Sequence, residues 1–168
     1  MEHTIKDSLY LDTELFMELV QTSSEDLKIP IQLIEKDYHI SRILRALSRS
    51  SYESKIVFKG GTSLSKAYQL IDRFSEDVDF AVISGGMSGN QVKMLLSNLM
   101  KEVTMGLTED KSFSDISKGS KYRKQAFSYT AHTGFDTSVN PVPARIIVEI
   151  SAFANPFPYE KRTIEPFV

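Results

Sequence analysis

Apolar residues recur at helical spacing in two stretches near the start of the chain. The first stretch has Asp12 or Thr13 available as an N-cap, and a polar run at residues 22–24 ends it. The second stretch starts at Pro30, which suits a first helical turn, and fades into a polar run at residues 48–54. The two apolar stripes consist of Leu11, Leu15, Phe16 and Leu19, and of Leu33, Ile40, Ile43, Leu44 and Leu47. This pattern predicts two N-terminal helices.

The next apolar run, at residues 55–58, is short and predicts a buried strand. It ends at Gly60 and Gly61, and Thr62 and Ser63 are good N-caps for a helix that follows. We therefore expect a strand, a glycine turn and a capped helix in succession.

A second strand is predicted where apolar and acidic side chains alternate. Val78, Phe80 and Val82 face one side of this strand, while Asp77 and Asp79 face the other. Because they lie two residues apart on one strand, the two acids are predicted to point in the same direction.

The remaining pattern is clear at two places and weak between them. Residues 92–103 predict an amphipathic helix, and residues 144–151 predict a strand that carries Glu149 among apolar residues. Between them we expect polar loops with a short strand near residues 125–131. Helices and strands mixed in this order predict an α/β or α+β fold, with a small mixed sheet flanked by helices.

Length and composition limit the classes of protein. The 168 residues suffice for a self-contained core, and we expect a helical extension over residues 1–53 and a core domain over residues 54–168. The net charge of −2 gives no global attraction to nucleic acid, so RNA binding needs a local basic patch. The absence of cysteine excludes a disulfide scaffold and thiol catalysis. Without an apolar signal segment or a membrane-length run, we expect a cytoplasmic protein that contacts no membrane.

The glycine turn and the two aspartates suggest a nucleotide site. A turn of Gly60 and Gly61 lets backbone N–H groups approach a phosphate, next to the start of a helix. Asp77 and Asp79 together suit a hard divalent cation such as Mg²⁺, which also binds triphosphate oxygens. Glu149 is the candidate for a third carboxylate, because an acid in such an apolar strand needs a partner or a metal.

Other interpretations of these residues stay open. Two acids on a strand are often merely exposed to solvent, and Glu149 suits a salt-bridged acid on an edge strand. The basic residues between Lys118 and Lys124 form either a solvated loop or a contact for RNA or triphosphate. Pattern alone does not separate these alternatives.

Four segments together resemble the AbiEii/AbiGii toxin family of nucleotidyltransferases, within the DNA polymerase β-like superfamily. They are residues 58–66 (FKGGTSLSK), 73–80 (RFSEDVDF), 34–38 (IEKDY) and 148–151 (VEIS). The resemblance implies that Asp77, Asp79 and Glu149 are the catalytic and metal-binding acids. It also implies a nucleotide site formed by Lys59, Gly60, Gly61, Thr62, Ser63 and Lys66.

The same resemblance implies a two-metal site for Mg²⁺, with Mn²⁺ as an alternative ion. The implied partners are a nucleoside triphosphate, an RNA or protein acceptor and a cognate antitoxin. Family members usually continue into a helical part with a catalytic lysine, and nothing here matches it. We therefore expect a fragment or a short member that binds triphosphate with little turnover and forms an assembly larger than a monomer. Two alternatives remain, namely a catalytically silent fragment that binds nucleotide or antitoxin, and a plain interaction domain.

Overall fold

The computed structural model describes residues 8–70, 77–134 and 142–168. Within these ranges, five helices accompany one six-stranded sheet. The helices are α1 (Ser8–Leu11), α2 (Thr13–Leu27), α3 (Ile31–Arg49), α4 (Gly60–Lys66) and α5 (Gly89–Val103). The strands are β1 (Ile56–Lys59), β2 (Asp77–Val82), β3 (Thr108–Glu109), β4 (Ser117–Lys118), β5 (Tyr122–Ser128) and β6 (Arg145–Ser151). The mixed α+β fold with a small sheet is confirmed.

The sheet is mixed and its last strand lies near its centre. The order is β1-β2-β6-β5-β3, and β4 also pairs with β5. The pair β2–β6 is parallel, whereas β1–β2 and β5–β6 are antiparallel. Glu149 therefore lies on a central strand, so the interpretation of an edge-strand acid is wrong.

One face of the sheet is covered by α3 and α5. The core side chains of β2 and β6 pack there against both helices; they are Val78, Phe80, Val82, Ile146, Val148 and Ile150. Ser88 is the N-cap of helix α5, and its side chain and that of Gln91 form a capping box. Asp77 and Asp79 lie on the opposite face, as their alternation with apolar residues predicts.

The N-terminal helices form a second, smaller core. Phe16 and Val20 of α2 pack against Ile34 and Tyr38 of α3, and Val168 joins them. Helix α3 also contributes side chains to the main core, so it connects the two clusters. The division of the chain at residue 53 stays a prediction.

Several element boundaries differ from the sequence-based expectation. Asp12 caps α2 as predicted. The helix nevertheless continues through residues 22–24 to Leu27, and within it the hydroxyl of Thr22 donates to the carbonyl oxygen of Glu18. The apolar residues up to Ile71 predict a longer helix after the glycine turn, but α4 ends at Lys66, so this prediction is wrong from residue 67 on; Ile71 itself lies outside the described ranges.

The prediction that Thr62 and Ser63 cap α4 is wrong. The helix begins two residues earlier, at Gly60, directly after β1. Gly60 has φ +77°, a left-handed conformation that glycine adopts without strain, and this lets the strand turn at once into the helix. The hydroxyl of Thr62 instead donates to the carbonyl oxygen of Asp77.

The basic segment near residue 122 is part of a strand, so its interpretation as a solvated loop is wrong. Strand β5 starts at Tyr122, three residues before the predicted strand, and Arg123 is buried. The two-residue strands β3 and β4 carry too little apolar pattern to be predicted. In the described part of the chain, no helix is both long and apolar enough to cross a membrane.

Candidate active site

Four charged side chains lie next to one another across the sheet, one from each of four strands. Lys59 of β1 is opposite Asp79 of β2, Asp79 is beside Glu149 of β6, and Glu149 is opposite Lys124 of β5. Residues paired in this way point to the same face of a sheet. We call these four residues the charged row. It consists of a cation, two adjacent anions and a second cation.

Each outer lysine contacts one of the inner acids. Lys59 Nζ lies 3.9 Å from Asp79 Oδ1, and Lys124 Nζ lies 3.0 Å from Glu149 Oε1. The side chains of Asp79 and Glu149 are 18% and 20% exposed, so both acids are accessible but partly desolvated. Asp77 lies two residues before Asp79 and therefore on the same face.

The glycine turn and Asp79 are in close contact. A Cβ atom added to Gly60 would lie 2.1 Å from Asp79 Oδ2 and 2.8 Å from its Cγ. No side chain fits there, so the carboxylate lies directly against the exposed backbone of the turn. The residue with this constraint is Gly60, whereas Gly61 is in the first turn of α4.

The like charges in the row act on Asp79. Burial raises the pKa of Asp79, and the neighbouring Glu149 and Asp77 add to the rise, whereas Lys59 and Lys124 oppose it. A raised pKa means that the ionised carboxylate is disfavoured in the protein. A bound cation would reverse this effect.

Glu149 is held on both of its oxygens. Tyr122 donates to Oε2 at 2.7 Å, and Lys124 Nζ contacts Oε1. Burial and the hydrogen bond to Glu149 raise the pKa of Tyr122 to about 12, so the phenol remains protonated and donates. Lys124 also contacts Asp115 Oδ2 at 2.8 Å, and its hydrogen bonds to Asp115 and Glu149 raise the pKa of its ammonium group.

The acids fit a divalent metal by their chemistry and by their strand positions. Carboxylate oxygens are the ligands that Mg²⁺ prefers, and neighbouring strands lie about 4.8 Å apart. Over the described ranges, no three His, Cys, Asp or Glu side chains lie close enough together to hold a metal as they stand. Both oxygens of Glu149 contact Tyr122 and Lys124 instead.

Three residues predicted for the nucleotide site, Thr62, Ser63 and Lys66, are buried or lie away from the charged row. Lys66 forms a buried ion pair with Asp37 of α3, at 2.5 Å, with both side chains at most 5% exposed. Ser63 is buried. Lys59, Gly60 and Gly61 remain beside Asp79 at the end of β1. The structure thus brings together the acids, the glycine turn and Lys59, but not Lys66.

Sequence reasoning missed the groups that hold Glu149. Tyr122, Lys124 and Asp115 contact this acid or each other. Their signal was the alternation of β5, in which Tyr122 and Lys124 face one side and Arg123 the other.

The acidic residues of α3 have structural contacts. The carboxylate of Glu35 accepts hydrogen bonds from the backbone of His132 and Thr133, at 2.8 and 3.2 Å. Asp37 accepts the backbone N–H of Phe167 as well as the Lys66 ammonium. The segment 73–76 that contributed to the family resemblance lies outside the described ranges.

Comparison with known proteins identifies the family of the chain. The family model described as "Nucleotidyl transferase AbiEii toxin, Type IV TA system" matches residues 42–168. The chain belongs to this family. No curated protein and no solved structure matches the chain.

Membership of the AbiEii family relates the chain that carries the charged row to a class of enzymes. The family is one of nucleotidyl transferases that act as toxins of type IV toxin–antitoxin systems, and so it implies an antitoxin partner. The matched range includes every member of the charged row and the glycine turn.

Proposed function

We propose that the chain is a Mg²⁺-dependent nucleotidyltransferase that moves a nucleotide from a nucleoside triphosphate to an RNA acceptor. The observation that carries this proposal is the side-by-side placement of Asp79 and Glu149 next to a glycine turn. Two like charges on adjacent strands disfavour each other, and a cation relieves this cost. An exposed backbone beside that cation position suits a triphosphate.

We assign one role to each group of the site. Asp77, Asp79 and Glu149 would hold the divalent ions, which when bound neutralise triphosphate charge and lower the pKa of an acceptor hydroxyl. Lys59, exposed beside Asp79, contacts phosphate oxygens, and the turn at Gly60 admits the triphosphate. The acceptor oxygen forms a bond to the α-phosphorus, the bond to the leaving pyrophosphate breaks, and Glu149 takes the hydroxyl proton.

An RNA acceptor is favoured by an aromatic pair beside the site. Phe153 is 71% exposed, and its ring stacks on Tyr122 with 6.1 Å between centroids. Tyr122 in turn contacts Glu149. Unpaired bases stack on exposed aromatic rings and contribute about 1–3 kcal/mol each, and the exposed Lys121 lies next to this pair in the chain. These features lie where an acceptor end would approach Glu149.

The test is a transfer assay with each α-labelled nucleoside triphosphate, Mg²⁺ and total RNA. We expect Mg²⁺-dependent nucleotide binding and label on RNA, both lost in Asp79→Asn. Asp26→Asn, an exposed acid of α2, serves as the control and should behave as wild type. Binding without any label transfer would favour the catalytically silent alternative. Label on protein instead of RNA would contradict the RNA acceptor.

A further inference from the structure

We propose that the ammonium group of Lys124 pairs with Glu149 in the metal-free protein and is displaced when a metal binds Glu149. Lys124 then loses its contact with Glu149 and retains its contact with Asp115. This inference rests on the proposed function, because it concerns the metal site of that reaction. It assigns a positioning role to two residues outside the predicted site.

Lys124 lies between two carboxylates that differ in their surroundings. Its Nζ is 3.0 Å from Glu149 Oε1 and 2.8 Å from Asp115 Oδ2. The side chain of Glu149 is 20% exposed and lies in the charged row, whereas that of Asp115 is 75% exposed on the chain segment before β4. One lysine thus bridges a site residue and a surface residue.

The contact with Glu149 differs from an ordinary surface ion pair. Lys124 is only 19% exposed, and the other oxygen of Glu149 accepts a hydrogen bond from Tyr122. The ring of Phe113 lies 6.0 Å from the lysine Nζ and gives further cation–π stabilisation. Partial desolvation strengthens the attraction between lysine and glutamate, so Glu149 is engaged rather than available.

A divalent ion and the ammonium group compete for the same carboxylate. Both are cations, so a metal at Asp79 and Glu149 is repelled by Lys124 as long as the lysine stays in the row. Asp115 makes the exchange easy because it already contacts Lys124. When the metal arrives, one contact of the lysine breaks and the other persists, so the ammonium keeps a partner.

The exchange predicts variants with effects of opposite sign on metal affinity. Lys124→Met removes the competing cation, so we expect binding of Mn²⁺ to become about tenfold tighter. Among the described residues, Asp115→Asn leaves Glu149 as the only carboxylate in an ion pair with Lys124, and binding of Mn²⁺ should weaken by about three- to tenfold. A simple loss of structure would move both variants in the same direction.

The experiment is calorimetric titration of the full chain with Mn²⁺ alone, an ion that takes the same oxygen ligands as Mg²⁺. Lys118→Met is the matched control, because Lys118 is a lysine of the neighbouring strand β4 that pairs with Glu109 at 2.7 Å. Its affinity for Mn²⁺ should equal that of wild type. Lys124→Gln, which keeps a polar end and loses the charge, replaces Lys124→Met if circular dichroism shows the latter to be unfolded.

Each outcome decides between the two proposals. Tighter binding in Lys124→Met with weaker binding in Asp115→Asn supports the exchange. Unchanged or weaker binding in Lys124→Met overturns it while leaving the metal site intact. Equal Mn²⁺ binding by wild type and Asp79→Asn, or none by either, would reject the metal site of the proposed function, and the exchange with it.

Discussion

Helix α4 has a lysine at each end, and the two lysines have opposite surroundings. Lys66, its last residue, is 5% exposed and contacts Asp37 at 2.5 Å. Lys59, just before its first residue, is 44% exposed and contacts Asp79 at 3.9 Å. Asp37 lies on helix α3 and contacts Lys66, whereas Asp79 lies in the sheet and is paired with another acid, Glu149.

The difference separates charges that satisfy one another in the folded protein from charges for which we propose a bound cation. Around Asp37, one cation and two hydrogen-bond donors, the Ser41 hydroxyl and the Phe167 N–H, satisfy one anion. Around Asp79, burial opposes ionisation and raises the pKa, and two further acids add to this effect. A matched pair stabilises the folded protein as it stands, while a mismatched cluster gains stability only when a cation binds. The predictions below are ordered by their expected effect on the free energy of unfolding.

The largest effect is expected when the buried pair loses one partner. Lys66→Met leaves the Asp37 carboxylate buried without its cation, so we expect the free energy of unfolding to fall by about 3–5 kcal/mol. Urea denaturation measures this loss. Lys59→Met, at the other end of α4, should cost less than about 1 kcal/mol, as exposed pairs do. Equal losses in the two variants would remove the distinction between the two ends of the helix.

A methyl group on the glycine turn should damage both the fold and the site. Gly60→Ala places a Cβ 2.1 Å from Asp79 Oδ2 and forces alanine to adopt φ +77°. We expect a loss of about 1–3 kcal/mol from the strained backbone, with loss of Mg²⁺-dependent nucleotide binding as Asp79 is displaced. Thermal unfolding and nucleotide titration measure the two effects.

Gly85→Ala is the matched control, because no atom lies within 4 Å of the Cβ that it would add at that glycine. It should leave nucleotide binding unchanged. Wild-type nucleotide affinity in Gly60→Ala would show that the close contact with Asp79 plays no part in the site.

Helix α3, which carries Asp37, also carries a buried, neutral histidine that we expect to make the fold sensitive to acid. Burial, helped by Arg42 and His132, lowers the pKa of His39 from 6.5 to about 3. Between these pH values the unfolded chain binds a proton that the folded chain does not. Stability should therefore fall as the pH drops below 6.5, by up to about 1.4 kcal/mol per pH unit.

His39→Phe tests this source of acid sensitivity. Phenylalanine keeps a ring to stack on Tyr129, whose centroid lies 4.0 Å from that of His39, but it binds no proton. Denaturation of both proteins between pH 4 and pH 7 should show that the free energy of unfolding depends less on pH in the variant. The difference is expected between the ordinary histidine pKa of 6.5 and the pKa of about 3 in the folded protein. Parallel profiles would assign the acid sensitivity to other groups.

The smallest effect, and one of opposite sign, is expected at Asp79. Its pKa is raised above the ordinary 3.8, so the folded protein holds the proton more tightly than the unfolded chain does. Ionisation therefore disfavours the fold at neutral pH and has no such effect at low pH, where the group is protonated in both states. Asp79→Asn should unfold at the same or a higher temperature at pH 7 without metal, while nucleotide transfer is lost.

Glu109→Gln gives the opposite control for stability. The hydrogen bond from Lys118 lowers the pKa of Glu109, so its charged form favours the fold at neutral pH. Its removal should lower the unfolding temperature. A clear drop in the unfolding temperature of Asp79→Asn would instead make Asp79 a structural acid.

The sequence predicted the strands that carry the site residues better than it predicted which of these strands pair. Alternation of Val78 and Phe80 with the two aspartates placed both acids on the open face of β2, and the described structure agrees. The position of Glu149 beside Asp79 depends on which strands pair, and this pairing joins residues far apart in the chain. No local pattern encodes such a register.

The charged residues of α3 illustrate the same limit. The apolar stripe of this helix was visible, but Glu35, Lys36 and Asp37 within it are also buried. The burial of Glu35 and Asp37 is stable because distant groups satisfy them, namely the backbone of residues 132–133 for Glu35 and Lys66 on α4 for Asp37. Likewise, the choice between Gly60 and Gly61 required the position of Asp79, which comes from another strand.

Strand β6 is the last strand along the chain, yet it lies between β2 and β5. As the ribosome makes the protein, Asp79 and Lys124 emerge well before Glu149, and N-terminal parts fold first. A nascent chain that ends before Arg145 has neither the central strand nor a complete set of acids. The order of synthesis therefore delays the assembly of the candidate active site until nearly the whole described chain has been made, and we expect a stalled or prematurely terminated translation product to lack the proposed activity.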